Sequence, residues 1–310
     1  KIGGPFRLKT AVLIGGAPMG KQVRDIKNGA HIYVATPGRI IDHIQQKTVS
    51  LHDVRILVLD EADRMLDMGF APQIKQILNT VPKERQTMLF SATMPDDIVR
   101  IATTHMKLPI RVEIARPGTV AQRVDQELFI VEKNQKAGLL QFLLGKYEGT
   151  ILVFSRTKHG AKKICRDLRN VGHTAAEIHS NRSLNQRQEA LQGFKNGKYR
   201  ILVATDIAAR GIDVKNIEVV INYDIPEQAE DYVHRIGRTG RAGKAGRAIT
   251  FASADQNHKI RPIEKLIRAA LKVSPLPQGL PAAKKAPPSA SSKNTRPFRK
   301  PTKRHYHAFR

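Results

Sequence analysis

Three short motifs combine side chains that could together cleave a nucleoside triphosphate. Asp60-Glu61-Ala62-Asp63 supplies carboxylates, Ser91-Ala92-Thr93 supplies two hydroxyls, and residues 234–241 (HRIGRTGR) supply a histidine and arginines. Carboxylate oxygens suit Mg²⁺, which keeps most of its waters and takes few protein ligands. Arginines neutralise the charge that develops on a transferring phosphoryl group. The motifs therefore predict phosphoryl-transfer chemistry.

The acidic motif offers a separate role to each carboxylate. Asp60 closes a predicted strand and is a candidate to hold Mg²⁺ through water, while Glu61 could orient and deprotonate the attacking water. Asp63 could tie this site to a neighbouring loop. In isolation the motif favours a structural interpretation, because acidic residues in the first turn of a helix stabilise it by roughly 0.3–1 kcal/mol each.

The other two motifs also have structural alternatives. Ser91 and Thr93 could relay the state of a nucleotide site, but Thr93 alone predicts only a cap for a helix that starts near Pro95. Arg238 and Arg241 could bind phosphate oxygens, or belong to a flexible basic loop.

Two further features follow predicted strands. Asp213 could accept a hydrogen bond from a ribose hydroxyl, or be a turn aspartate. Residues 15–21 (GGAPMGK) match the spacing of a phosphate-binding loop. We reject that match, because Gln22 replaces the hydroxyl residue that would bind magnesium and Pro18 lacks a backbone donor.

Short apolar runs separated by helical patterns predict an α/β fold with parallel sheets. The predicted strands are Thr10–Ile14, Ile32–Ala35, Ile56–Leu59, Thr87–Phe90, Ile151–Phe154, Ile201–Ala204, Val219–Asn222 and Ala248–Phe251. The predicted helices include Gly38–Lys47, Lys158–Val171 and Leu184–Asn196. Since ligands of such sheets bind beyond the carboxyl ends of the strands, the polar motifs are expected at those edges.

The composition favours a polyanionic partner. The 310 residues carry a net charge of +26, and aromatic residues make up only 5%. A phosphate-directed mode of nucleic-acid binding is therefore favoured over base stacking. Cys165 is the only cysteine. A lone cysteine suits a reducing compartment, so we expect a cytoplasmic protein, and no apolar run is long enough to predict a membrane span.

The chain resembles the DEAD-box ATP-dependent RNA helicases, most closely the bacterial type, from Lys1 to about Lys272. The motifs at 60–63, 91–93, 205–213 and 234–241 are similar to motifs II, III, V and VI of that family. The resemblance implies two RecA-like domains that close on ATP, Mg²⁺ and single-stranded RNA. It also implies local unwinding of short duplexes without sequence specificity.

The resemblance assigns roles to individual residues. Asp60 and Glu61 would serve magnesium and water activation, with Asp213 on the ribose and Arg238 and Arg241 as arginine fingers from the second domain. A second set would couple the domains, with Asp63 meeting His234 through Ser91 and Thr93. A third set would contact the RNA backbone: Gly16, Thr36, Arg39, Arg187 and Thr205.

Two departures from the family pattern stand out. Leu184 occupies a position where the family usually has glutamine, which puts one polar RNA contact in doubt. The family's Q motif and phosphate loop, expected before Lys1, are absent from the sequence. We therefore expect an amino-terminally truncated chain with an incomplete first domain and no competent hydrolysis by itself.

The predicted organisation has four parts. Residues 1–115 form the carboxyl-terminal part of the first RecA-like domain, 116–124 a linker, 125–272 the second RecA-like domain, and 273–310 a disordered basic tail. The predicted function of the complete protein is ATP-dependent RNA unwinding. The alternatives are a non-catalytic RNA-binding or assembly factor and a DNA-unwinding relative.

Overall fold

The computed structural model describes residues 3–113, 124–209, 214, 217–240 and 246–280. Asp213, Arg241, most of the predicted linker and most of the predicted tail lie outside the described residues. The described residues form an α/β structure whose strand pairs are all parallel, as the sequence predicted.

The first part of the chain, residues 3–113, contains four strands, five α-helices and a short 3₁₀ helix (Gly4–Phe6) among its described elements. The elements are β1 (Thr10–Leu13), α1 (Met19–Lys27), β2 (Ile32–Ala35), α2 (Pro37–Gln45), β3 (Ile56–Leu59), α3 (Ala62–Asp67), α4 (Ala71–Thr80), β4 (Gln86–Leu89) and α5 (Asp96–His105). β1 pairs only with β2, and β3 only with β4, so these strands form two separate two-stranded sheets.

The two small sheets share one apolar layer and leave their other face bare. Leu57 of β3 packs against the core around Ala11 and Leu13 and also against the core around Leu59. On the opposite face, Val12, Val34, Ile56 and Val58 are 47–58% exposed. Unpaired strand edges beside exposed apolar side chains mark this part as the less stable one.

The second part, from residue 124 to 280, is built on one seven-stranded sheet in the order β11-β5-β10-β9-β6-β8-β7. The strands are β5 (Val124–Ile130), β6 (Ile151–Phe154), β7 (Ala175–Ile178), β8 (Ile201–Ala204), β9 (Val219–Asn222), β10 (Gly246–Ala252) and β11 (Lys272–Val273). The helices are α6 (Lys136–Lys146), α7 (Lys158–Asn170), α8 (Leu184–Lys195), α9 (Asp206–Ala209), α10 (Ala229–Ile236) and α11 (Asn257–Ile267).

The central strands of this sheet are buried on both faces. In β6, Ile151 and Val153 join the core beneath α6 and α7, while Leu152 and Phe154 join the core beneath α8. Continuous apolar runs are the sequence signature of such two-faced strands. The prediction of parallel strands at β6, β8 and β9 is therefore confirmed with unchanged boundaries.

The structure differs from the sequence prediction in three strands that were not predicted, in the ends of three predicted strands and in two domain boundaries. The three shifted strands are β1 (Thr10–Leu13 instead of Thr10–Ile14), β4 (Gln86–Leu89 instead of Thr87–Phe90) and β10 (Gly246–Ala252 instead of Ala248–Phe251). β5, β7 and β11 were not predicted, since β5 mixes polar and apolar residues and β7 contains Glu177. Val124 begins β5 instead of ending the linker, and Val273 belongs to β11 instead of the tail. The backbone N–H of Ser274 also bonds to the Leu128 carbonyl (2.9 Å), so the ordered part extends slightly further than predicted.

Within the described residues, no helix combines the length and the apolar character needed to cross a membrane.

Candidate active site

The acidic motif lies at the carboxyl end of β3, in a turn with unusual backbone geometry. Glu61 caps α3 in the left-handed region (φ +49°), which is unfavourable for a residue with a Cβ. The Asp60 carboxylate accepts the Glu61 backbone N–H at 2.9 Å and so supports this turn. Asp60 and Glu61 are both exposed. The turn therefore presents two carboxylates to solvent at the sheet edge, where a magnesium ion could be held through water.

Asp63 is buried and satisfied by donors from the second motif. Its Oδ2 accepts the backbone N–H and the hydroxyl of Thr93, both at 2.8 Å, and its Oδ1 accepts the Arg64 N–H at 2.9 Å. Its own backbone N–H donates to Ser91 Oγ at 3.2 Å. Thr93 does not cap α5, whose N-cap is Pro95. The structure thus joins the acidic motif and the hydroxyl motif through Asp63.

His234 faces this acidic turn from the second part of the chain. A small cavity between the two parts is lined by Arg64 on one side and by His234, Arg235 and Arg238 on the other. Burial lowers the pKa of His234, opposed by the negative charge of Asp63. His234 is therefore neutral near pH 7. Its link to Asp63 is electrostatic: no hydrogen bond joins these two described side chains.

A buried arginine that the sequence did not single out anchors the third motif. Arg235 forms a bidentate ion pair with Asp206, in which Nε donates to Oδ1 at 2.5 Å and Nη2 donates to Oδ2 at 2.7 Å. Its Nη1 donates to Asn222 Oδ1 (3.2 Å) and to the Asp224 carbonyl (2.7 Å). The guanidinium also stacks 5.0 Å above the Phe154 ring. These contacts fix α10, and with it His234 and the start of the arginine run.

Of the two candidate arginines, Arg238 lies within the described residues and Arg241 lies outside them. Arg238 lines the cavity between the two parts, two residues beyond the end of α10. The next residue, Thr239, is buried, and its hydroxyl donates to the Ile217 carbonyl at 2.5 Å. Arg241 and Asp213 lie outside the described residues.

Three of the proposed RNA-contacting residues lie close together at one edge of the β1–β2 sheet. Gly16 follows β1 with φ +80°, and no atom lies within 4 Å of a Cβ added there. Thr36 follows β2 and caps α2. Arg39, in the first turn of α2, donates from Nη1 to the Ala17 carbonyl at 3.2 Å. The exposed turn at Gly15 and Gly16 thus lies beside the Arg39 guanidinium, which the Ala17 carbonyl helps to orient.

The remaining two candidates belong to the large sheet. Thr205 follows the last residue of β8, and its N–H donates to the Ile178 carbonyl at 3.2 Å. Arg187 lies in the first turn of α8, whose start is fixed by a capping box between Ser183 and Gln186. Leu184 opens that helix. Both candidates lie at carboxyl ends of strands or at a helix start, which is the edge where ligands of parallel sheets bind.

The rejected phosphate-loop match has no loop geometry over its second half. α1 begins at Met19, so Gly20 and Lys21 are already helical, and Pro18 is the N-cap. The side-chain amide of Gln22 donates hydrogen bonds to the carbonyls of Ile14 and Ala17.

Comparisons with known proteins match both parts of the chain. The family profile described as DEAD/DEAH box helicase matches residues 1–101, and the profile described as helicase conserved C-terminal domain matches residues 134–243. The DEAD-box ATP-dependent RNA helicase CshA of Streptococcus pneumoniae is 44% identical over 266 residues, which are 86% of this chain and 51% of the relative. The ATP-dependent RNA helicase DbpA of Bacillus subtilis is 39% identical, over 97% of this chain and 63% of the relative.

Solved structures agree with this assignment. S. cerevisiae Dbp5 bound to RNA and ADP BeF3 matches with a TM-score of 0.77 at 28% identity, covering 87% of this chain and 71% of that one. Mss116p bound to ssRNA and AMP-PNP matches with a TM-score of 0.76 at 26% identity, covering 88% of this chain and 59% of that one.

The folds of both parts are therefore RecA-like, as the resemblance implied. The chain belongs to the DEAD-box helicase family. It spans about half the length of the Streptococcus relative and less than two thirds of the Bacillus relative.

Proposed function

We propose that the full-length protein is an ATP-dependent RNA helicase that couples ATP hydrolysis to RNA binding and local duplex unwinding. The observation that carries this proposal is the cleft in which Asp63, bound to Thr93, faces His234 and Arg238 from the other part of the chain. Relatives of known structure hold RNA and a nucleotide analogue in a similar fold. The net charge of +26 supports a phosphate-rich partner.

The proposed chemistry assigns the acidic wall to metal and water. Asp60 would hold Mg²⁺ through water, and the ion would supply charge neutralisation at the phosphates. Glu61 would orient and deprotonate the attacking water, for which its exposed position on the turn is suitable. Arg238, with Arg241, would stabilise the charge on the transferring phosphoryl group, and Asp213 would bind the ribose.

The RNA part of the proposal concerns the backbone. Gly16, Thr36 and Arg39 on the first part, with Arg187 and Thr205 on the second, would contact single-stranded RNA without reading its bases. Contacts to phosphates would supply affinity, and contacts to 2′-hydroxyls would distinguish RNA from DNA. We also propose a cytoplasmic location, supported by the single, buried Cys165, whose pKa is raised to about 11 by burial.

Replacement of Glu61 by glutamine tests this function directly. In the full-length protein, Glu61→Gln should abolish RNA-stimulated ATP turnover and leave ATP-dependent RNA binding intact, because only the proton acceptor is removed. The matched control is Glu84→Gln, an exposed carboxylate that pairs with Lys107 at the surface. Turnover that survives Glu61→Gln would remove Glu61 from its proposed role.

The same assay separates the alternatives. RNA affinity that ignores ATP and falls steeply with salt would favour a non-catalytic RNA-binding factor. Equal stimulation of ATP hydrolysis by RNA and DNA of one sequence would favour a DNA-unwinding relative.

A further inference from the structure

A buried polar cluster lies directly behind the exposed Gly15–Gly16 turn. Gln22 of α1 is 3% exposed and His43 of α2 is completely buried. Neither residue belongs to the motifs described above. Buried polar side chains are kept where each finds hydrogen-bond partners, so the partners of this pair define what it holds.

Gln22 clamps the glycine turn at both ends. Its Nε2 donates to the Ile14 carbonyl at 3.1 Å and to the Ala17 carbonyl at 3.2 Å. These two carbonyls flank Gly15 and Gly16. Glycines lose the most conformational freedom on ordering, and Gly16 has a positive φ, so the turn has little intrinsic preference for one shape. One side-chain amide supplies the restraint that the glycines lack.

His43 fixes the orientation of that amide. Because Gln22 Nε2 faces two carbonyls, Gln22 Oε1 faces His43 Nε2 at 3.1 Å and must accept a hydrogen bond from its N–H. The Thr48 hydroxyl lies 2.7 Å from His43 Nδ1 and 3.1 Å from the His43 carbonyl, and when Nε2 carries the ring proton the hydroxyl hydrogen is directed to Nδ1. Burial and the Arg39 charge lower the pKa of His43, which keeps the ring in this neutral form. Every polar side-chain atom of Gln22 and His43 then has a hydrogen-bond partner.

The clamped turn is also tied to Arg39. The Ala17 carbonyl accepts from both Gln22 and Arg39, whose Nη1 lies 3.2 Å away. Arg39 in turn lies 3.5 Å from Asp42 on the same helix. The cluster therefore sets the distance between the glycine turn and the Arg39 guanidinium. Above Gly15 and Gly16 there is open space, which leaves the turn accessible to a ligand.

We propose that Gln22 is a positioning residue for RNA binding, which holds the Gly15–Gly16 turn and Arg39 at the spacing of one single-stranded phosphodiester backbone. His43 acts one step behind it by holding the Gln22 amide. The inference rests on the proposed function, in which Gly16 and Arg39 contact RNA. It adds a buried determinant of RNA affinity that never touches the RNA.

The test is the RNA affinity of the full-length protein with Gln22→Glu. A carboxylate at this position loses both N–H donors and faces two carbonyl oxygens, so the turn is released. We expect affinity for a labelled oligouridylate, measured by fluorescence anisotropy with an ATP analogue, to fall about tenfold. The slope of log affinity against log salt should fall by about 0.7 for each phosphate that the protein no longer neutralises. The matched control is Gln45→Glu, an exposed position of α2 with the same charge change.

A second pair of variants separates positioning from folding. His43→Leu removes the donor to Gln22 and should weaken RNA binding, whereas His43→Gln retains an N–H and should restore it. ¹⁵N NMR of the wild-type imidazole should report the Nε2–H tautomer. If Gln22→Glu does not fold, the comparison of His43→Leu with His43→Gln decides, and equal affinities would overturn the proposal.

Arg39→Ala distinguishes failure of this inference from failure of the proposed function. If Arg39→Ala weakens RNA binding while folded Gln22→Glu keeps wild-type affinity and salt slope, the role of Gln22 is wrong and the function stands. If the wild-type protein does not bind RNA, or Arg39→Ala leaves affinity unchanged, the RNA assignment of this edge is wrong and the inference is lost with it.

Discussion

Asp63 is the residue on which the first wall of the cleft depends. One buried carboxylate accepts hydrogen bonds from the Thr93 N–H, the Thr93 hydroxyl and the Arg64 N–H. The charge of Asp63 also acts on His234, where it opposes the lowering of the His234 pKa by burial. A displacement of the Ser91–Thr93 loop would therefore remove hydrogen-bond partners of Asp63.

Replacing Asp63 by asparagine tests this dependence at constant size. The asparagine side chain has an NH₂ group where Asp63 has an oxygen that accepts hydrogen bonds. This NH₂ group would face N–H or O–H donors in a buried position. We expect a loss of about 1–3 kcal/mol in the free energy of unfolding, measured with urea. Asp53→Asn, at an exposed loop position, is the control and should change stability little. Equal midpoints for both variants would contradict the assignment.

At the residue scale, the sequence indicated the candidate site residues better than the buried residues that hold them in place. Strand-end positions placed Asp60, Asp63, Ser91 and Thr93 at one sheet edge, and the structure brings them together. Arg235, Gln22 and His43 were missed, because a charged or polar residue in a helix looks like a surface residue. Only tertiary packing shows that Arg235 reaches Asp206, which is 29 residues earlier in the chain.

Helix α10 is the element that carries the cationic wall. It presents His234 and leads into Arg238, and its position depends on the Arg235–Asp206 pair behind it. The Thr239 hydroxyl holds the chain beyond the helix against the Ile217 carbonyl. The contacts of buried Arg235 with Phe154, Asn222 and Asp206 thus fix the positions of the neighbouring residues His234 and Arg238.

Removal of the Arg235 charge should destabilise this element. Arg235→Met leaves Asp206 unpaired, and breaking a buried ion pair costs about 3–5 kcal/mol. We expect a value near the lower end, about 3 kcal/mol, because the Asp206 side chain is 21% exposed. The double variant Arg235→Met, Asp206→Leu should recover part of the loss. A single-variant loss below about 1 kcal/mol by chemical denaturation would contradict this role of Arg235.

Element prediction succeeded for the continuous apolar runs, including β2 and β3 with unchanged bounds, and failed for β5, β7 and β11. β6, β8 and β9 are unbroken apolar runs, which is the pattern of a central parallel strand. β7 lies at the sheet edge and contains Glu177, whose carboxylate pairs with Arg182. Its sequence, Ala-Ala-Glu-Ile, has few of the residues that favour strands, so its pairing with β8 could not be read from pattern.

On the scale of the whole molecule, the two parts are unequally supported. The second part buries a seven-stranded sheet between two apolar layers. The first has two separate pairs of strands, with apolar residues exposed on one face.

Amide hydrogen exchange of the 310-residue chain measures the imbalance. We expect amides of β3 and β4 to exchange by local opening well before those of β6, β8 and β9. The reason is that each strand of the first part has a single paired neighbour in the described structure. Protection throughout residues 56–90 equal to that of β6 would contradict the prediction.

Acidification should destabilise the protein. Burial is the main cause that lowers the pKa of five described histidines: His43, His105, His173, His179 and His234. The pKa values of these histidines in the folded protein lie below the unfolded value of 6.5. At pH values near and below 6.5 the unfolded chain therefore binds more protons than the folded protein. The free energy of unfolding should therefore fall as pH decreases from about 7 towards 5. A urea midpoint that is constant or rises over this range would contradict the prediction.

The proposed hydrolysis requires that an acidic wall from the first part and a cationic wall from the second act on one triphosphate. The most direct measurement is the RNA-stimulated ATP turnover of the full-length protein with Arg238→Glu, beside Arg268→Glu as a control at the end of α11. We predict a loss of turnover of about a thousandfold or more for Arg238→Glu and near wild-type turnover for the control. Wild-type turnover with the charge of Arg238 reversed would contradict the two-walled site.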